Sequence, residues 1–219
     1  MKTSMFPVLS VLCGKVAPFR GPDEPSAIAK RPARGPVRVH RLGLDGDAQA
    51  DLAVHGGPDK AIHHYPHDHY AWWRETIGDH PLLAAYGAFG ENIATAGLTE
   101  DSVCIGDRWR LGSALVEVSQ GRQPCWKLDH RFDGARVNAL CVKSRRAGWY
   151  YRVLEDGAVD AGDGMALVDR PYPAWSVARV FGLLIAGDHK TDRAGLEALA
   201  EVAVLAEPWV RRRAKLLAA

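Results

Sequence analysis

The chain has 219 residues, with 28 lysines and arginines against 26 aspartates and glutamates, a net charge of +2 with histidine neutral. That length accommodates a buried core, and 47% hydrophobic with 25% charged residues excludes a disordered or fibrous chain. No apolar run reaches the ~20 residues that cross a bilayer, and the near-neutral balance gives no case for nucleic acid or a membrane surface as a partner.

Val8–Val16 has the apolar content of a strand, and Gly21-Pro22-Asp23 turns the chain after it. Pro7 interrupts this apolar stretch and no small-residue cleavage pattern follows, so it reads as a strand of a cytoplasmic protein and not as a signal peptide. Val37–Leu42 alternates apolar and basic residues, as a half-buried strand does. The Gly43–Asp47 segment marks a turn. Pro66–Glu75 fits a helix with proline in its first turn. Val103–Leu111, Ala114–Ser119 and Ala166–Val168 supply further strands, with a weaker helix at Arg136–Arg146. Strands this short and this numerous favour a barrel or sandwich over a parallel α/β sheet.

Composition changes after Pro171-Tyr-Pro173, where residues 174–219 contain 11 alanines and leucines at helical spacing. Ser176 is placed to cap a first helix ending near Gly187. Thr191–Leu205 makes a second, with Leu196, Leu199, Val202 and Ala203 on one face, and Pro208 opens a third. The expected organisation is a mostly β domain over residues 1–172 and a small three-helix unit over 173–219. Such a tail would cover the site, form a homodimer or dock a partner. Its Arg211–Arg213 cluster reads as a solvated face.

Four segments carry candidate chemistry. In the first, Gly56-Gly57 lets the backbone approach a ligand, and exposed amides beside His55 and Lys60 suit an anion. The second is the histidine run His63, His64, His67 and His69. Pro66 interrupts it and no HExxH pattern is present, so it reads as polar residues at a strand end and helix start, with a histidine metal site as the weaker alternative. The third is Phe89-Gly-Glu-Asn-Ile93, in which Glu91 supplies an acid and Asn92 an amide that either meets a ligand or caps a turn. In the fourth, an alternating strand ends at Ser119 and opens into a loop with Cys125 between Arg122 and Lys127. Neighbouring cations favour a thiolate, the form that attacks electrophiles or binds soft metals, while a half-buried structural cysteine is the plainer alternative. Cys13, Cys104 and Cys141 read as structural thiols, and no CxxC pair is present.

In order along the chain, Pro25-Ser-Ala-Ile-Ala-Lys30, Gly43-Leu-Asp-Gly-Asp47, Val54-His-Gly-Gly-Pro-Asp-Lys-Ala61 and Phe89-Gly-Glu-Asn-Ile93 resemble the MOSC domain family (molybdenum cofactor sulfurase C-terminal domain). Val103-Cys-Ile-Gly-Asp107 and Ser119-Gln-Gly-Arg-Gln-Pro-Cys-Trp-Lys127 extend the match. The subgroup it looks like is the stand-alone YiiM type with a C-terminal three-helix domain. The resemblance implies a barrel-like MOSC core and a molybdopterin-type molybdenum cofactor, with Cys125 as the thiolate ligand to molybdenum. It further implies that Asn92 holds the pterin and that Ser26 lies near its phosphate. Pro25 stands where related amidoxime reductases often have lysine, which leaves the phosphate contact to Lys30 or another cation. His55, Gly56, Gly57, Lys60, Glu91, Ser119, Arg122 and Lys127 complete the expected cofactor contacts.

The implied activity is reduction of N-hydroxylated compounds, hydroxylaminopurine-type base analogues among them. No cysteine-rich iron–sulfur segment is present in the sequence, so electrons would come from a separate reductase. The rival expectations are a carrier of molybdenum cofactor or sulfur without turnover, and a metal hydrolase using His55, His63, His64 and His67.

Overall fold

A computed structural model describes residues 4–21, 23–50 and 56–219. Seven strands form its centre: β1 (Met5–Cys13), β2 (Ile62–Pro66), β3 (Ile93–Thr95), β4 (Arg108–Leu111), β5 (Ala114–Gly121), β6 (Trp149–Glu155) and β7 (Gly164–Asp169). They pair in the order β7-β4-β5-β6-β2-β3-β1, and β1 returns to β7 to close a barrel. Only the β2–β3 pair is parallel within this circuit. Closure falls to β1, the longest of the seven, whose first residues pair with β7 (Met5↔Ala166) and whose later ones pair with β3 (Val11↔Ile93). A closed circuit removes the exposed edges that an open sheet of short strands would present. An extra two-residue strand, Arg31–Pro32, adds to the end of β1. The mostly β barrel with added helices is therefore as expected from the sequence.

Alternation along β2 and β6 divides the interior in two. Ile62, His64, Trp149 and Tyr151 face one side and join the main core with Val116, Val118, Trp109 and Met165. The intervening Tyr65 faces the other way, into a second core with Tyr70, Trp73, Phe89, Leu128, Phe132 and Cys141. That second core lies under α1 (His69–Ile77), α2 (Trp126–Arg131) and α3 (Val137–Ser144). The barrel wall is thus buried on both faces here, and its outward-facing residues are available to a site rather than to solvent.

The C-terminal unit comprises α4 (Val177–Phe181), α5 (Arg193–Ala198) and α6 (Glu207–Ala218). Ser176 caps α4, its hydroxyl accepting from the Arg179 amide at 3.2 Å. The helix continues through a π-turn and stops at Gly187, where φ is +99°. Val177, Phe181, Leu184, Leu196, Leu199 and Trp209 belong to the same core cluster as the barrel. Two contacts seat α6 on β5: the Ala206 amide donates to the Ser119 carbonyl at 3.1 Å, and the Trp209 ring lies over Gly121. A Cβ at position 121 would stand 2.8 Å from that ring.

Several boundaries differ from the sequence expectation. The strand over Val103–Leu111 begins only at Arg108, because residues 103–107 close a tight turn. There the Asp107 carboxylate accepts from the Cys104 amide at 2.9 Å, Arg170 clamps that carboxylate from outside, and Gly106 has φ +82°. Thr191–Leu205 is not one helix. It starts at Arg193 behind an Asp192 cap, gives way to a 3-10 turn, and leaves helical geometry at Val202, so Ala203 is exposed. The histidine run falls as expected on a strand, with His63 and His64 in β2, and a helix start, with His69 opening α1; β6 was not anticipated although Trp149-Tyr-Tyr-Arg-Val-Leu-Glu155 has strand composition. All four cysteines are free thiols. No helix among the described residues is long and apolar enough to cross a membrane.

His64 carries a testable consequence of this packing. Its ring stacks on Trp149 at 4.3 Å and meets the hydroxyls of Tyr151 and Thr95 at 3.0 and 2.8 Å. Burial pushes its pKa down to about 3 from 6.5. The folded protein therefore resists a proton that the unfolded chain takes up, and stability is lost as pH falls from about 6.5 toward 3. Thermal unfolding followed across that range should show the loss, and His64→Gln should flatten the slope by about one proton. An identical slope in the variant would mean that other groups govern acid sensitivity.

Candidate functional site

A cavity of about 90 Å³ lies against the outer face of β2 and β6. Four cations line it: Lys30, Lys60, Arg122 and Lys127. Among the described lining residues there is no carboxylate. Arg122 follows the end of β5 and is 5% exposed, with its Nη1 unpartnered. Its backbone amide donates to the Gly148 carbonyl at 2.9 Å, which fixes where the side chain starts. A guanidinium stays protonated at all working pH values, and burying one without a counter-charge is costly. Among the described residues the cavity thus presents cations and no lining acid, an arrangement that suits an anionic ligand.

The strand that delivers Arg122 is bent toward the cavity. Tyr151 pairs with Val118 but Tyr150 pairs with Gln120, leaving Ser119 as the extra residue of a bulge. The Ser119 hydroxyl lies 2.6 Å from the Asp59 carbonyl and 3.1 Å from that of Tyr150, so it holds the bulge and the neighbouring 3-10 turn Pro58–Lys60 together. Arg152 reinforces that turn by pairing with Asp59 and Glu117, both at 2.8 Å. Lys60 is aimed by this arrangement.

The opposite wall depends on Asp47. Its carboxylate, 4% exposed, accepts from Lys30 Nζ at 2.5 Å, from the Gly14 amide at 2.7 Å and from Asn92 Nδ2 at 2.8 Å. Asn92 also donates to the Leu12 carbonyl and accepts from the His63 amide. Three chain segments distant in sequence thus meet on one acid. Beside them, Glu91 shapes the loop 87–91, accepting from the Gly87 and Phe89 amides and from the Tyr70 hydroxyl. The loop lies so close to residues 26–30 that a Cβ on Gly90, where φ is +75°, would sit 2.6 Å from Ile28 Cγ1.

Cys125 precedes α2, is half-buried and faces the cavity. It also lines a second, outer chamber of about 340 Å³ whose far wall is α6. Lys60, Gln123, Cys125 and Tyr150 are common to both spaces. Burial raises the Tyr150 phenol, with Arg122 opposing, so it stays a protonated donor. Burial and then Arg122 push the His63 imidazole well down, so it is neutral at neutral pH. The site holds a thiol, cations and neutral hydrogen-bonding groups, a set suited to gripping an anion and ligating a soft metal.

Of the residues expected from sequence, Ser26, Lys30, Lys60, Asn92, Arg122, Cys125 and Lys127 converge on the cavity. Glu91 and Ser119 do not. Both are fully buried, and their oxygens are taken up by loop amides and strand carbonyls respectively. Gly56 and Gly57 are also outside the lining, and Gly57, with φ +93°, instead opens the turn that carries Lys60. Pro22, Asp51, Val54 and His55 lie outside the described residues. The histidine metal reading fails among the described residues because the rings separate: His64 faces the barrel core, His69 pairs with Glu100 at 2.6 Å, and His67 packs on Tyr70 and Tyr86. Tyr150 and Gln123 are among the lining residues that sequence reasoning missed, while His63, considered there for function only as a metal ligand, lines the cavity as a neutral side chain. The signal was the alternation of β2 and β6, which sends His63 and Tyr150 outward together.

A profile of the MOSC domain matches residues 51–166. Protein YiiM of Escherichia coli (strain K12) is 43% identical over 166 residues, which are 75% of this chain and 73% of that protein. A protein of Gibberella moniliformis named Reductase is 43% identical over 161 residues, 73% of this chain but 28% of that longer protein. The crystal structure of YiiM from Geobacillus stearothermophilus is similar throughout, with a TM-score of 0.81 and 32% identity over 97% of this chain and 99% of that one.

Asp47→Asn should lower unfolding stability by about 3–5 kcal/mol, the usual cost of stranding one partner of a buried ion pair. Adding Lys30→Met should restore part of it. Urea denaturation of the single and double variants measures both, and a loss under about 1 kcal/mol would show that the acid does not organise the wall.

Proposed function

The chain belongs to the MOSC domain family, and on that premise we propose that it is a molybdenum-cofactor-dependent reductase of N-hydroxylated compounds, fed by a separate electron-donating protein. One observation carries the reading: a half-buried thiol, Cys125, opens into a cavity lined by four cations and no described acid, one of them the buried Arg122, whose Nη1 has no partner. The residues present fit an anionic metal–pterin group. Cys125 would ligate molybdenum through its thiolate. Arg122, Lys127, Lys60 and Lys30 would meet the phosphate and other anionic oxygens, and Ser26 and Asn92 would line the pterin.

When bound, that group supplies the two-electron chemistry that no side chain here provides. The overall reaction breaks the substrate N–O bond, consumes two electrons and two protons, and releases the amine and one water. The chain's own contribution is placement. Tyr150, common to both spaces and held protonated, donates a hydrogen bond to the departing oxygen, while neutral His63 adds no charge against the cations. A relative named Reductase supports the class of reaction. The four free thiols support a reducing, cytoplasmic setting.

Molybdenum and pterin content, measured on protein from a cofactor-producing host, tests this directly. Wild type should carry both, and Cys125→Ser should lose molybdenum and all reduction of an N-hydroxylated substrate while keeping its thermal unfolding midpoint. Full activity in Cys125→Ser would sink the assignment. Pterin without metal in both proteins would point instead to a cofactor carrier.

A further inference from the structure

The outer chamber reaches past Cys125 to the C-terminal helix, beyond the residues of the inner cavity. At about 340 Å³ it is within the range of small-molecule sites, and it opens beside the thiol. Its far wall is the C-terminal helix, which contributes Arg211, Arg212 and Lys215, and Lys60 faces it from the barrel side. No carboxylate is among the described residues that line it. Arg212 is held in place, its Nε donating to the Leu184 carbonyl, so the guanidinium is presented without further ordering. Arg211 is partly answered by Glu207 one turn earlier, at 3.1 Å and on an exposed face, a pairing that a stronger anion would displace.

A second observation comes from the barrel. Gln120 lines the same chamber, is 2% exposed, and its amide oxygen has no partner. A buried acceptor left open requires a donor, and a dense cationic wall requires an anion. Trp209, Pro208 and Tyr150 supply apolar surface between them. A ligand with a phosphate, hydroxyl groups and a flat ring satisfies all three demands.

We propose that the outer chamber is a phosphate-selective substrate site, so that the protein acts on an N-hydroxylated nucleoside monophosphate in preference to the nucleoside or free base. The N-hydroxyl group rests on the reductase reading above, whereas the phosphate preference rests on the chamber alone. Arg212 and Lys215 take the phosphate, Gln120 accepts from a ribose hydroxyl, and the base extends toward Cys125.

Calorimetric titration of AMP and adenosine, with the protein as purified, tests the chamber without requiring turnover. AMP should bind at least about tenfold more tightly than adenosine, the effect of losing one or two charge-assisted contacts. Arg212→Ala/Lys215→Ala should erase that difference and Lys127→Ala, in the inner cavity, should keep it. Equal binding of the two probes overturns the proposal. So does a preference lost in Lys127→Ala and kept in the double variant, which would assign the phosphate to the inner cavity. Should the double variant fail to fold, the exposed single change Lys215→Glu gives the same comparison. With loaded enzyme, equal kcat/KM for N6-hydroxyadenosine and its 5′-monophosphate would also overturn the preference while leaving the reductase reading intact. Tight AMP binding with neither compound reduced would overturn the reductase reading alone.

Discussion

A buried guanidinium that no acid among the described residues answers sets the terms for the rest of this molecule. Arg122 cannot shed its proton, and nothing acidic among the described residues faces it across the cavity. Such a charge persists in a folded protein only where the surrounding structure is stable enough to hold it and where something else completes it. The bulge at Ser119, the Arg152–Asp59–Glu117 network and the double burial of the barrel wall are the means of holding it. They spend stability on a position that contributes nothing to folding by itself, which is the usual relation between a scaffold and its site.

The acid that would normally neutralise such a cluster is present but displaced. Asp47 takes Lys30, Gly14 and Asn92 at once, so one of the four lining cations is answered from behind the cavity. The cavity consequently has a fixed back and a charged front. Cys125 lies between this inner space and the larger chamber under α6, so its sulfur adjoins two distinct spaces. One side is small and cationic. The other is roomy, and its charges come from a different part of the chain.

Much of this was readable in the sequence because the strands are short, alternate cleanly and are bounded by turn residues, and because the cavity residues sit in recognisable strings. Where the reading failed, the cause was physical and local. Glu91 and Ser119 stand beside true lining residues, and one position along a strand or tight loop is enough to turn a side chain from ligand to framework. Val103–Asp107 is apolar enough for a strand, yet an aspartate three residues past Cys104 folds it into a turn. Tyr150 went unseen, and His63 was weighed for function only as a metal ligand, because their shared place lies in β2 and β6 being neighbours, a pairing across more than 80 residues that no local pattern encodes. The basic face of α6 read as solvated, and Arg211 and Lys215 are indeed exposed; that the same face looks onto the mouth of the barrel was out of reach because that mouth is remote in sequence.

The seat of Trp209 on Gly121 has a meaning for how this protein can change over generations. Position 121 immediately precedes Arg122, and the space a side chain would need there is already filled by the indole of the last helix. Neither residue can be exchanged alone without pushing the other: a larger residue at 121 displaces α6, and a smaller one at 209 leaves a void beneath the strand end. The two positions are bound to drift as a pair or not at all. Through that pair, the helical tail and the barrel share one inheritance, so a tail borrowed from a relative would have to bring its own residue 121 with it.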